Sequence, residues 1–297
     1  MRVIISGASG LLGTALTRAL RSEGHETIVL VRRPPNPGEV QWDARQPLDP
    51  AKLAGCDGVV HLSGKNIAGV WTAKFKQEVL ESRSLTTRIL ANAAAESFRR
   101  TGQPRTFVSA SGVGYYGNRG DEVLTEDSTA GEGFLAEVCK QWEAATAPAR
   151  DAGVRVVNLR IGIVLARGGG ALKPLLLPFQ LGLGGRIGSG QQWWSWIALD
   201  DVIGTMIFAL QNESLQAAVN TVAPAPVRSV ELVRALGRAM HRPTIFPLPE
   251  FVIRTVMREM GEELLLTSAR AVPQKLEGAG YKFRHANLDD ALRAALK

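Results

Sequence analysis

Short apolar runs recur through the first half of the chain, and each leads through a polar turn into a stretch of helical spacing. Val3-Ile4-Ile5 comes first, followed by a stretch that sets Leu16, Ala19 and Leu20 on one face. Thr27 to Val31, Val40 to Trp42 and Gly58 to Leu62 read as further strands. A long helix is predicted from about 74 to 99, where Val79, Leu85, Ile89, Leu90 and Ala94 recur at helical intervals. Arg105 to Ser109 reads as a fifth strand, a helix around 135–149 comes next, and Val154 to Arg160 reads as a sixth strand. This alternation predicts an α/β fold: a doubly wound, mostly parallel sheet with helices on both faces and ligand beyond the carboxyl ends of the strands.

The rhythm breaks after Arg160. Gly168-Gly169-Gly170 and the stretch from Leu181 to Gly190 are glycine-rich, and Pro224, Pro226, Pro243, Pro247 and Pro249 punctuate the C-terminal part. The expected division is a dinucleotide-binding unit over 1–171 and a smaller, irregular substrate region over 172–297. Part of the latter, about 196–222, is expected to return to the main sheet as a helix and a strand.

The turn after the first strand carries the most informative chemistry. Gly7-Ala8-Ser9-Gly10-Leu11-Leu12-Gly13 joins a strand to a helix, the context in which a glycine-spaced turn cradles a diphosphate. Glycine lets the backbone turn tightly and lets phosphate oxygens approach it, and the first helical N–H groups bind the anion. The second strand ends in Arg32-Arg33. A carboxylate there would bond a ribose 2′-hydroxyl and repel a 2′-phosphate, whereas two guanidiniums favour the phosphate. NADP is therefore expected over NAD. Trp42 at the end of the third strand can flank the adenine or belong to the core.

Composition narrows the field. With 297 residues and 45% hydrophobic residues, the chain can bury a full core. Two well-separated cysteines, Cys56 and Cys139, point to a reducing compartment. The chain enters its first strand almost at once, leaving no room for a signal peptide, and no apolar run approaches the ~18 residues of a membrane span. The expected address is cytoplasmic. The net charge of +7 raises nucleic acid as a partner, but the 35 basic residues are scattered and form no block. A small-molecule substrate is expected, with no nucleic acid and no membrane.

The order of Gly7 to Gly13, His61-Leu62-Ser63-Gly64, Ser109 to Gly117, Leu159-Arg160 and Trp196 to Asp201 resembles extended short-chain dehydrogenase/reductases. Glu81-Ser82-Arg83, Gly114-Tyr115-Tyr116-Gly117, Gly188-Ser189-Gly190 and Leu276 to Phe283 make the chain most similar to the atypical "epimerase family protein" subgroup, related to NAD-dependent epimerase/dehydratases. The resemblance spans essentially the whole chain. It implies a Rossmann-type domain with a C-terminal substrate region, and a homodimer is possible on the same grounds. It adds Leu62, Ser63 and Gly64 to the cofactor-binding candidates Gly7, Ser9, Gly10, Leu11, Leu12, Gly13, Arg32, Arg33 and Trp42, and Arg160, at the end of the sixth strand, either reaches the cofactor or substrate or simply pairs with a carboxylate.

The chain departs from the family where the chemistry is done. The family uses a Tyr-x-x-x-Lys pair, in which tyrosine moves a proton and lysine lowers its pKa and holds the nicotinamide ribose. Aligned on Trp142-Glu143, the pair becomes Leu135 and Cys139, and Lys140 lies one residue off, about a hundred degrees around the helix. Arg83 stands where the family carries an asparagine. The remaining hydroxyls near the fifth strand, Ser109, Ser111, Tyr115 and Tyr116, are the catalytic candidates, and a tyrosine beside Arg83 would be the more acidic for it. Shaping the pocket only is the favoured role for each tyrosine, the more so for Tyr116, whose position matches a family tyrosine preceding glycine. Arg83, Gln191 and Trp193 are the substrate candidates, and the aromatic run 193–196 can wall a planar or apolar ligand. For Glu126, Cys139, Asp200-Asp201 and His61, loop acid, inert packing, helix capping and a structural histidine are the favoured roles. The expected function is an NADP-dependent oxidoreductase or epimerase on a small carbonyl or sugar-like substrate. The competing expectation is a dinucleotide-binding redox sensor without turnover.

Overall fold

The computed structural model describes residues 1–170 and 172–297, so the expected boundary at 171 lies outside the described residues. Seven parallel strands form the central sheet: β1 (Arg2–Ser6), β2 (Glu26–Val31), β3 (Glu39–Gln41), β4 (Gly58–His61), β5 (Thr106–Gly112), β6 (Arg155–Ile161) and β7 (Ala217–Thr221). Their order is β7-β6-β5-β4-β1-β2-β3. The chain runs outward from β1 to β3, then crosses to the other side of β1 and runs outward again. The crevice between the ends of β1 and β4 is therefore the switch point at which such sheets bind ligands. Register places Ser6 beside His61, His61 beside Ser109 and Ser111 beside Arg160 along one carboxyl edge.

The unbroken apolar runs are explained by burial on both faces. Val3, Ile5, Val60, Val108 and Val157 join one core with Leu16 and Leu20 of α1 (Leu11–Ser22). Val202, Met206 and Leu210 of the helix Leu199–Gln211 complete that layer. The alternate residues Ile4, Val59, Phe107 and Val156 join a second core with Leu90, Ala91 and Ala94 of α2 (Ala73–Thr101). Side chains that alternate across a pleated strand thus feed two helical layers. A third core, with Trp194, Trp196, Leu232, Leu236 and Leu292, holds the C-terminal elements together.

Two local expectations change. The helix expected over 135–149 is two pieces, α3 (Phe134–Ala144) and a short helix Ala147–Asp151. Thr146 Oγ1 donates to the Glu143 carbonyl at 2.6 Å, and Pro148 has no N–H to extend the first helix through the break. The fifth strand runs on to Gly112, so Ser109 and Ser111 are strand residues on one face, and only the tyrosines sit in the next turn, Val113–Tyr116. None of the helices among the described residues is long and apolar enough to cross a membrane.

Candidate functional site

A groove of about 1290 Å³ opens at the switch point. It is lined by Gly7, Ser9 and Gly10, by Leu62, Ser63 and Gly64 after β4, by Arg32, Arg33 and Trp42, and by Ser82 and Thr86 of α2. Residues scattered over the first 86 positions are thereby brought to one surface. Gly7 has φ +75°, and a Cβ there would sit 2.6 Å from the Leu62 carbonyl carbon. A Cβ on Gly13 would sit 2.3 Å from the Gly7 carbonyl oxygen. These two positions admit only glycine, and that lets α1 begin directly behind the turn. Leu11, Leu12 and Gly13 do not line the groove. Gly13 is a backbone contact, Leu12 packs into the core, and what this first turn offers a ligand is its N–H groups, which have no intrahelical acceptor.

The two arginines after β2 have different fates. Arg33 forms a fork-to-fork pair with Glu39 at 2.7 and 2.8 Å, so its charge is matched within the protein. Arg32 is exposed and makes no side-chain hydrogen bond or ion pair among the described residues. Arg18 of α1 and Arg45 line the same groove and are likewise unpaired among the described residues. They escape a motif search, although Thr14, Arg18 and Arg21 recur as the polar face of an amphipathic helix. Trp42 is 5% exposed and its Nε1 donates to the Gln46 carbonyl at 2.9 Å, so it is a core residue with an edge on the groove.

Beyond the groove, burial sorts the candidate hydroxyls. Ser109 is fully buried and bonds the Ala110 carbonyl at 3.1 Å. Ser111 donates to Glu143 Oε1 at 2.8 Å. Tyr116 has no exposed surface; its hydroxyl lies 2.6 Å from Asn220 Oδ1 and 2.9 Å from the Thr125 carbonyl, and accepts from Arg160 at 3.0 Å. Burial pushes its pKa up to about 12, against the opposing pull of Arg160. With no exposed surface and its hydroxyl engaged by Asn220, Thr125 and Arg160, Tyr116 is corrected from a catalytic candidate to a structural residue. Tyr115 alone of the four is half-buried with no hydrogen-bond partner for its hydroxyl among the described residues. Its ring lies 3.4 Å from the Arg160 guanidinium, so the cation beside it is Arg160 and not Arg83.

Arg160 is also corrected as a cofactor ligand. It is 3% exposed, and Nε and Nη2 bond the two Glu143 oxygens at 2.8 and 2.9 Å. Burial opposes its charge, but the bonds and charge of Glu143 outweigh this and hold it protonated. Cys139 is buried in α3, and burial with nearby Glu143 lifts its thiol to about 11, which leaves it inert packing. His61 is fully buried between Ser6 and Thr86 and pushed down to about 3, so it stays neutral. Asp201 is buried and accepts the backbone N–H groups of Arg284 and His285, which pins the C-terminal strap. Glu126, expected as a loop acid, is instead buried, and its Oε1 accepts from the backbone N–H groups of Asn220 and Lys275.

Of the substrate candidates, Arg83 reaches from α2 to Gly64 and to the Trp142 ring of α3. Trp193 stands apart from the groove, stacked between Arg228 and Arg270 at 4.2 and 4.3 Å and bonded to Asp121. Gln191 is exposed, and its carbonyl accepts from Arg228. Neither Trp193 nor Gln191 lines the groove, and Arg83 meets it only through its contact with Gly64.

The fold, switch-point groove and glycine turn can be set against known proteins. Residues 3–221 match the model of the NAD dependent epimerase/dehydratase family. This chain belongs to that family. Residues 248–295 match a domain of unknown function, DUF1731. Among the family's members, the chain is 43% identical over 293 residues to the epimerase family protein Mb2239 of Mycobacterium bovis, covering 98% of this chain and 96% of that one. It superimposes on the crystal structure of human epimerase family protein SDR39U1 with NADPH at a TM-score of 0.90, with 36% identity and full coverage of both chains. It also matches a nucleoside-diphosphate sugar epimerase from Corynebacterium glutamicum at TM-score 0.81 and 39% identity, covering all of this chain and 58% of that one. The epimerase-family resemblance read from the motifs is thus the chain's own family.

Proposed function

We propose that this chain is an NADP(H)-dependent oxidoreductase or epimerase acting on a small carbonyl or sugar-like substrate. The observation that carries the cofactor choice is Arg32, an exposed guanidinium on the groove wall without a carboxylate partner among the described residues, flanked by Arg18 and Arg45. Such a group suits the 2′-phosphate that distinguishes NADP from NAD. The residues fit the dinucleotide: the Gly7 to Gly10 turn folds tightly back on itself, and the first turn of α1 behind it presents N–H groups without an intrahelical acceptor to a diphosphate. NADPH in the human relative's structure supports the same choice. When bound, the cofactor supplies or accepts hydride. Tyr115, whose ring packs against the Arg160 guanidinium and whose hydroxyl has no partner among the described residues, is the residue of this chain best suited to carry the proton, in a family member where Leu135 and Cys139 occupy the Tyr-x-x-x-Lys positions.

Fluorescence titration with NADPH and NADH tests this. Wild type is expected to prefer NADPH, and Arg32→Ala to lose about tenfold in NADPH affinity with NADH unchanged, the loss of one charge-assisted phosphate contact. Equal affinity for the two nucleotides in the wild type overturns it. The redox-sensor alternative draws on Ser109, Ser111 and Tyr116 being consumed by protein contacts. Tight NADPH binding with no turnover across a broad carbonyl panel would favour that second reading.

A further inference from the structure

Arg83 is the half-buried cation whose surroundings leave it unfinished. On α2, its Nη1 donates to the Val79 carbonyl at 3.0 Å and lies 3.5 Å from Ser82 Oγ. Nε and Nη2 have no hydrogen-bond partner, and no carboxylate lies within 4.0 Å, among the described residues. Two other buried arginines behave differently. Arg160 has both positions bonded to Glu143, and Arg155 is bonded to three carbonyls and Thr106. Burial acts against the Arg83 charge and lowers its pKa. A guanidinium desolvated without an anion is costly, and its Nε/Nη2 edge matches a carboxylate or phosphate in a two-point pair.

The neighbours of this edge say which ligand it meets. The guanidinium carbon lies 5.1 Å from the Trp142 ring, whose own buried Nε1 has no partner among the described residues. A Cβ on Gly64 would lie 3.2 Å from Arg83 Cζ and 3.4 Å from Nη2, so the bare backbone of Gly64 leaves the fork its space. Gly64 lines the dinucleotide groove and Arg83 does not, which puts Arg83 past the groove wall on the α3 side, near Cys139. The diphosphate has its own donors in the Gly7 turn, and the 2′-phosphate has Arg32. An anion at Arg83 is therefore a further one.

We infer that Arg83 anchors the substrate through an oxyanion, a carboxylate or phosphate group received by its Nε/Nη2 edge. This rests on the proposed dinucleotide site and narrows its substrate class to anionic carbonyl compounds. The lysine change keeps the charge and removes the fork, which separates two-point recognition from simple attraction.

Isothermal titration of oxalate and of inorganic phosphate into wild type, Arg83→Lys and Arg83→Met, each with and without saturating NADPH, tests the assignment. With NADPH present, so that the glycine turn and Arg32 are filled, wild type is expected to bind at least one probe. Arg83→Lys should weaken that probe about tenfold and Arg83→Met should abolish it, with NADPH affinity in both variants within about twofold of wild type. The probe that binds tells carboxylate from phosphate. Binding of neither probe to loaded wild type, or full binding to Arg83→Met, overturns the assignment, as does a tenfold loss of NADPH affinity in Arg83→Met. If wild type binds no NADPH, it is the dinucleotide reading that fails, and the titrations without NADPH still compare wild type with Arg83→Met.

Discussion

His61 ends β4 with Nδ1 2.6 Å from Ser6 Oγ and Nε2 3.3 Å from Thr86 Oγ1, and burial lowers its pKa from 6.5 to about 3. As pH falls, the unfolded chain takes this proton before the folded one. The stability tied to a neutral His61 is complete above about pH 6.5 and is lost as pH drops toward 3, by up to about 1.4 kcal/mol per unit. Urea melts between pH 7 and 4 should show a flatter acid limb in His61→Asn, and an unchanged limb would contradict this. The two adjacent tyrosines divide in the same way by environment. Tyr116→Phe leaves Asn220 and Arg160 with an unmet group and should cost about 1–3 kcal/mol of stability. Tyr115→Phe should keep the melting temperature and lose NADPH-linked turnover at least tenfold. Thermal melts paired with steady-state rates decide between them. The sequence could name both tyrosines because they come just after a strand end. It favours a pocket-shaping role more for Tyr116 than for Tyr115, but what holds Tyr116 in place includes Asn220, 104 positions away.

At the scale of elements, α3 shows how far local pattern reaches. Its apolar spacing is legible, and its break before Pro148 has a local cause. Its N-terminus is governed from afar. Phe134 and Leu135 donate their N–H groups to the two oxygens of Glu263 at 2.6 and 2.7 Å. Gly133, with φ +106°, leaves room for that carboxylate, since a Cβ there would lie 2.8 Å from Glu263 Oε1. No capping residue precedes Phe134 in the sequence, so the cap is invisible to a local search. Glu263→Ala should destabilise the fold by about 1–2 kcal/mol and speed amide exchange at Phe134 and Leu135. Exchange at those two amides no faster than in wild type would show that the carboxylate is not what holds them. The glycine turn and the start of α1 are legible for the opposite reason: the glycine spacing that shapes the turn is local, and only the Leu62 backbone crowds Gly7 from afar.

Across the whole molecule, the sheet was legible because its strands are buried on both faces and so appear as uninterrupted apolar runs. Its C-terminal companion was less so. The third core draws Trp194, Leu236 and Leu292 from segments spread over about a hundred residues, and short strands of two or three residues leave no periodicity to read. The same long reach separates Arg32, visible as a charge after a strand, from Arg83, which the sequence offers as a substrate candidate but whose unfilled Nε/Nη2 edge shows only in its surroundings. Strand β7 adds a matter of timing. It pairs with β6 in register from Ala217 to Val157 through Thr221 to Ile161, although 55 residues intervene between the end of one and the start of the other. While the polypeptide is being synthesised, the residues that line the glycine crevice, all within the first 86, emerge well before β7, so until then the outer edge of β6 has only water for its amides and carbonyls. Chain order thus puts the crevice residues early and the strand that closes the sheet late.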